Sequence, residues 1–318
     1  MSYSRTLTGH VQDYLRVKRQ MGFELRSQGP QLLAFVRFAE HCGHRGPVTL
    51  DLILRWASDT HSERPITAAK RVEVLRPFTR YLQQYAPGTE VPPPRMLGST
   101  HHRPVPHIYS DEEVDALLIA ARHLSPRGGL RPATYETLFG LLAATGMRIS
   151  EALRLERSDV MLEQGMLRVR NSKFKKSRLI PLHATTVAAL QRYEHARDQF
   201  LPLATDDNFF LSGWGCALKI WNAEDAFSTL RRRLGWVARG DHSAPRIHDL
   251  RHTFISNCLL RWYRRQIKVD NAIAALSTYV GHVRVTDTYW YINTIPQLMA
   301  VASQRFERYA REIANEHP

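Results

Sequence analysis

Ala144-Thr145-Gly146-Met147-Arg148-Ile149-Ser150-Glu151 is the stretch on which the fold reading turns. An apolar helical run leads into it, Gly146 is the residue type that ends helices in the left-handed conformation, and helical periodicity restarts at Ile149. Arg148 therefore stands at the start of a new helix, where unpaired amides and the helix dipole favour an anion. Glu151 lies one turn further on, within reach of the guanidinium it would orient. In isolation this motif reads better as a surface ion pair.

Further along the chain, His248-Asp249-Leu250-Arg251-His252 places His248 and Arg251 on one face of a helix, with His252 adjacent. Gly281-His282 follows an apolar helical stretch ending at Tyr279-Val280, and Tyr289-Trp290-Tyr291 comes soon after. A two-residue offset on a helix turns Tyr289 and Tyr291 to opposite faces, so only one hydroxyl can share a site with the histidine. Between the first two motifs, Gly165–Leu182 (GMLRVRNSKFKKSRLIPL) alternates Leu167/Val169 and Leu179/Ile180 around a lysine-rich turn, the pattern of a β-hairpin.

Arginines, histidines, lysines and a tyrosine without clustered carboxylates suit phosphoryl transfer that uses neither metal nor cofactor. Guanidinium groups can hold nonbridging oxygens and offset the charge that builds on five-coordinate phosphorus. A tyrosine can store the broken bond as a phosphotyrosine ester. Lysine or histidine can protonate the leaving oxygen. No GxxxxGK[ST] loop is present, and a stored ester needs no ATP to be rejoined.

These stretches resemble the signature boxes of the tyrosine recombinases, also called phage integrases. ATGMRISEALRL resembles the first box, HDLRHTF the second and VGHVRVTDTYWYI the last, in family order over roughly residues 108–295. The resemblance implies that Arg148 and Arg251 clamp the phosphate, that His248 and His282 assist, and that Glu151 and His252 support them. It implies Tyr291 as nucleophile, standing nine residues after the last box's histidine as the family's does. The family's catalytic lysine sits in a hairpin turn: Lys173 matches best, and because this turn is longer than usual Lys175 stays open. Lys175, Lys176 and Arg178 are otherwise expected as DNA contacts.

The chain carries 44 lysines and arginines against 30 acidic residues, a net charge of +14 that favours a polyanionic partner. No apolar run long enough to span a bilayer and no signal core are seen, which fits a bacterial cytoplasmic, nucleoid-associated protein. The three cysteines, Cys42, Cys216 and Cys258, are scattered, as in a reducing compartment. His41-Cys42-Gly43-His44 lacks a second ligand pair at zinc spacing, so it reads as a helix end and not a metal site.

Helical periodicity before residue 86 predicts a small helical domain over 1–88, with Thr49 capping its third helix and Pro77 kinking or breaking its fourth. The proline-rich stretch PGTEVPPPRMLGSTHHRPVP predicts a linker, placed at 89–107. Ser110-Asp111-Glu112-Glu113 is a capping box that opens a second domain, 108–318. The expected fold is mainly α with a small β-hairpin. By the resemblance it is a two-domain clamp around duplex DNA: a helical core-binding domain, with Arg19, Lys70 and Arg71 as DNA contacts, and an α+β catalytic domain.

What the resemblance implies is a site-specific recombinase of a mobile element. It would work through a 3′-phosphotyrosyl intermediate and a Holliday junction, as a tetramer on specific core sites. A C-terminal helix from Pro296 would dock on a neighbour, and accessory or sister recombinases could join. The alternatives are a type IB topoisomerase-like enzyme and a noncatalytic DNA-binding regulator of the same fold.

Overall fold

A computed structural model describes residues 6–60, 65–100, 103–170, 177–267 and 269–294, with short pieces at 299–300, 303–304 and 306–307. Lys173, Lys175 and Lys176 lie outside the described residues, as does most of the C-terminal segment expected to form a helix from Pro296. The chain divides into two compact units, 1–103 and 104–318.

Among the described residues the first unit holds four helices: α1 (Leu7–Gln20), α2 (Gln28–His41), α3 (Leu50–Ser58) and α4 (Pro65–Leu82). Thr6 and Thr49 cap α1 and α3 by accepting from the amides of Gly9 and Leu52, each satisfying a donor that the first helical turn leaves open. Val11, Leu32, Phe35, Ile53, Trp56, Leu75 and Phe78 fill the core. Pro77 neither ends nor splits α4, which runs on to Leu82. The lost backbone hydrogen bond is outweighed by the burial of Val72, Leu75, Phe78 and Leu82 on both sides of it.

The proline-rich stretch is laced to folded structure at both ends. The amide of Glu90 donates to Val48 O, its carboxylate accepts from Leu50 N, and Arg95 N donates to Glu73, so residues 89–95 lie along the first unit. At the other end Val105 and Asp241 exchange two bonds: Val105 N donates to the Asp241 carboxylate at 2.8 Å and Asp241 N donates to Val105 O at 2.9 Å. Gly240, next to Asp241, lies close against Val105, and a Cβ there would come within 2.2 Å of Val105 O. Tyr109 N then donates to the Thr253 hydroxyl, and the Tyr109 hydroxyl donates to Arg246 O.

In the second unit α5 (Asp111–Arg122) opens on the Ser110–Glu113 capping box, with both reciprocal bonds formed. Helix α6 (Arg131–Thr145) is apolar nearly all round because it is covered by α5, α8 (Ala184–Phe200) and α10 (Ile247–Arg264). The hairpin strands are β2 (Met166–Val169) and β3 (Arg178–Pro181), antiparallel with Leu167 opposite Ile180. A two-residue strand β1 (Val160–Met161), unforeseen from the sequence, extends them to a three-stranded sheet in the order β1-β2-β3. Helix α9 (Ile220–Arg233) completes the main core around Leu138, Phe139, Leu142, Phe209, Phe210 and Phe227. Helices α11 (Val269–Val280) and α12 (Thr286–Thr294) form a second cluster with α10 through Ile255, Leu259, Ile273, Leu276, Val280 and Tyr291.

Among the described residues no helix is long and apolar enough to cross a membrane. The His41–His44 stretch is a helix end: α2 stops at His41 and Gly43 has a φ of +64°.

Candidate active site

Gly146 ends α6 with a φ of +61°. The turn it makes is tight, since a Cβ there would stand 2.4 Å from the Phe254 ring on α10. Its carbonyl accepts from Arg251 Nη1 at 2.8 Å, so the stop signal of the first motif also anchors the arginine of the second. Arg148 caps α7 (Ile149–Ala152), which is a single turn. Its amide donates to Glu151, so the helix-end amides expected to seat an anion are partly spent.

Arg148 Nη1 donates to Glu151 at 2.9 Å and Nη2 donates to Gly281 O at 2.9 Å, joining the first motif to the last. Arg178, expected as a DNA contact, braces this site. It donates through Nη1 and Nη2 to both Glu151 oxygens and through Nε to Tyr279 O. Gly281, with a φ of +70°, leaves the room this guanidinium occupies. Burial pushes the Glu151 carboxyl up, but the bonds and charges of Arg178 and Arg148 outweigh it and hold the group at about 2.

Arg251 is 3% exposed, and its Nη2 is buried without a hydrogen-bond partner among the described residues. Burial and the neighbouring Arg148 charge lower its pKa to about 10, partly opposed by Tyr291 and Glu151. It remains a cation at neutral pH. His248 stands exposed at the start of α10. The surrounding protein and the charges of Arg251 and Arg246 hold it down to about 4.

His252 is the contact to the last motif. Its Nδ1 lies 2.7 Å from the Tyr291 hydroxyl. Tyr291 is 3% exposed, whereas Tyr289, on the other side of α12, is 39% exposed and reaches Asp270 at 3.4 Å. The His282 ring stacks at 6.4 Å on Tyr291, and its Nδ1 meets the Thr288 hydroxyl at 2.7 Å. Thr288, fully buried, was not singled out from the sequence, although its position three before Tyr291 puts both on one helical face.

Arg148, Glu151, Arg251, His252, His282 and Tyr291 thus share one neighbourhood, with His248 at its edge. In the first unit Arg19 and Lys70 are exposed, while Arg71 lies 4.0 Å over the Trp56 ring and donates to Asp59 O. Among the described residues no group of three or more His, Cys, Asp or Glu side chains is placed to hold a metal ion.

The family model described as "Phage integrase family" matches residues 109–297. A Sinorhizobium fredii protein named as an integrase/recombinase, y4rB, is 38% identical over 94% of this chain and 96% of its own length. Tyrosine recombinase XerD of Caulobacter vibrioides is 29% identical over 74% of this chain and 73% of its own. Among solved structures, the Tn1549 transposon integrase in complex with transposon right end DNA superposes with a TM-score of 0.64 at 17% identity, covering 95% of this chain and 99% of that one.

Proposed function

Because this chain belongs to the phage integrase family of tyrosine recombinases, we propose that its site-specific recombination of DNA runs through Tyr291 as nucleophile, with Arg148 and Arg251 clamping the scissile phosphate. The observation that carries this reading is the sealed Arg251 guanidinium, one nitrogen of which has no hydrogen-bond partner among the described residues and stands beside both Arg148 and the Tyr291 phenol. Leaving a buried charged donor unpaired is costly, and a phosphate oxygen would satisfy it.

The phenol oxygen attacks phosphorus, the two guanidinium groups take up charge on the nonbridging oxygens, and the 5′ oxygen leaves with a proton from the enzyme. A 3′-phosphotyrosyl bond keeps the phosphodiester energy for rejoining. Lys173 is the proposed proton donor, with Lys175 the other candidate. Support comes from the base of the hairpin, where β3 begins at Arg178 and Arg178 is bonded to Glu151 beside Arg148. His282 assists from beside Tyr291, and His248 from the rim.

The excess of 44 basic over 30 acidic residues supports duplex DNA as the partner, with the 1–88 helices binding the core site through Arg19, Lys70 and Arg71. Recombination joins two sites, so we place a tetramer on them, passing through a Holliday junction and linked by the C-terminal segments. The setting is a mobile element's DNA in the bacterial cytoplasm. Neither the topoisomerase nor the regulator reading is favoured by the relatives.

The test is trapping. Nicked suicide duplexes tiled across the DNA flanking this protein's own gene should give an SDS-resistant adduct with the native chain, and none with Tyr291→Phe, which keeps DNA affinity. An adduct that persists in Tyr291→Phe and disappears in Tyr289→Phe would assign the chemistry to the other tyrosine.

A further inference from the structure

We propose that His252, not His248, takes the proton from Tyr291, and that it becomes able to do so when a phosphate enters the arginine pair. The inference rests on the reading of Tyr291 as nucleophile.

Geometry comes first in choosing a base, and the Nδ1 to hydroxyl distance of 2.7 Å is a full hydrogen bond. The rings stand 5.5 Å apart, tilted by 42°, and Trp290 packs edge-on against His252 at 6.2 Å, so the imidazole is fixed from the side of α12. Neutral phenol is the donor, which makes Nδ1 the acceptor and puts the ring proton on Nε2.

Burial, and after it the charges around His252, keep the imidazole neutral, and the second of these is what a phosphate can change. From its own helix it faces Arg246, His248 and Arg251, and from the 281–294 segment it faces His282, Trp290 and Tyr291. Burial and then these positive or neutral neighbours hold the imidazole down to about 2, so before DNA binds it accepts a hydrogen bond without taking the proton. A phosphodiester seated on Arg148 and Arg251 brings a negative charge into the same field. It offsets the repulsion that an imidazolium would feel, and nucleophile activation is thereby tied to substrate occupancy.

The step balances. The phenol proton passes to His252 Nδ1 and the O–H electron pair stays on oxygen. That oxygen forms the O–P bond, the P–O5′ bond breaks, and the 5′ oxygen takes a proton from Lys173 or its equivalent. Rejoining runs the same transfers backwards, and His252 returns the proton to Tyr291.

The experiment is single-turnover cleavage of the nicked suicide duplexes by the full-length chain and by His252→Gln and His252→Asn, which keep a hydrogen-bonding amide but cannot accept a proton. Each variant is measured on normal DNA and on a 5′-bridging phosphorothiolate, whose sulfur leaves without protonation. At least one variant should melt as the native chain does, bind DNA within about threefold of it, cleave roughly 10²–10³-fold more slowly and lose the acid limb of the native pH–rate profile. The phosphorothiolate should leave that deficit in place while rescuing whichever of Lys173→Ala and Lys175→Ala slows cleavage of normal DNA.

Cleavage within threefold of native, rescue by the phosphorothiolate, an unchanged acid limb, or loss of fold or DNA binding in both variants would each overturn the assignment. If the native chain forms no adduct, or Tyr291→Phe still does, the nucleophile reading itself falls. If those controls hold and His252→Gln cleaves normally, only the role of His252 falls.

Discussion

Glu151, 3% exposed, sits between two guanidinium groups with both of its oxygens engaged. Its carboxyl is held at about 2 against an ordinary 4.5. A depressed folded-state value means the ionised form is the stabilising one. Its contribution is complete above about pH 4.5 and fades as pH falls toward 2. The shift corresponds to roughly 3 kcal/mol at neutral pH. Glu151→Gln should therefore lower unfolding free energy by about that amount at pH 7, with the gap closing in acid. Urea titrations at stepped pH measure it, and a gap independent of pH would show that the carboxylate charge is not what holds Arg148 and Arg178.

The local elements were the legible part of the fold. Ser110 with Glu113, Gly146 and the alternating hairpin strands are signals written within a few residues of where they act, and each element forms where they indicate. Contacts set by tertiary placement were not legible. Arg178 finds Glu151 across 27 residues and Tyr279 across 101, and the hydrogen bond from Tyr291 to His252 spans 39. No periodicity encodes such pairs. Strand β1, at two residues, is too short to show alternation. Gly146→Ala tests the element scale, because it places a methyl 2.4 Å from the Phe254 ring at a backbone angle that favours glycine. It should lower stability by at least about 2 kcal/mol from left-handed strain and overpacking together. Phe254→Ala in the same chain should return only the steric share. Cleavage should fall further than stability, since the displaced carbonyl holds Arg251. Thermal melts and adduct yields on the same protein separate the two effects.

At the scale of the molecule, the two compact units meet in the chain near residue 103, inside the stretch that composition marked as spacer. Proline content argues for an extended linker there, but it cannot show which backbone groups find partners. Val105 pairs with Asp241, and Tyr109 bonds to the backbone just before the arginine helix and to Thr253 within it. A fragment beginning at 108, the boundary read from the sequence, should melt several degrees below one beginning at 104, and differential scanning calorimetry of the two would show equal melting points if Val105 were only a tether. The wider consequence concerns how mechanical load could travel. A pull on the chain ahead of Pro104 arrives first at the Val105–Asp241 clasp, five residues before the turn that launches α10. Tension would thus reach the helix bearing Arg251 by way of its anchoring loop, making residues 104–109 a lever root and not slack cord.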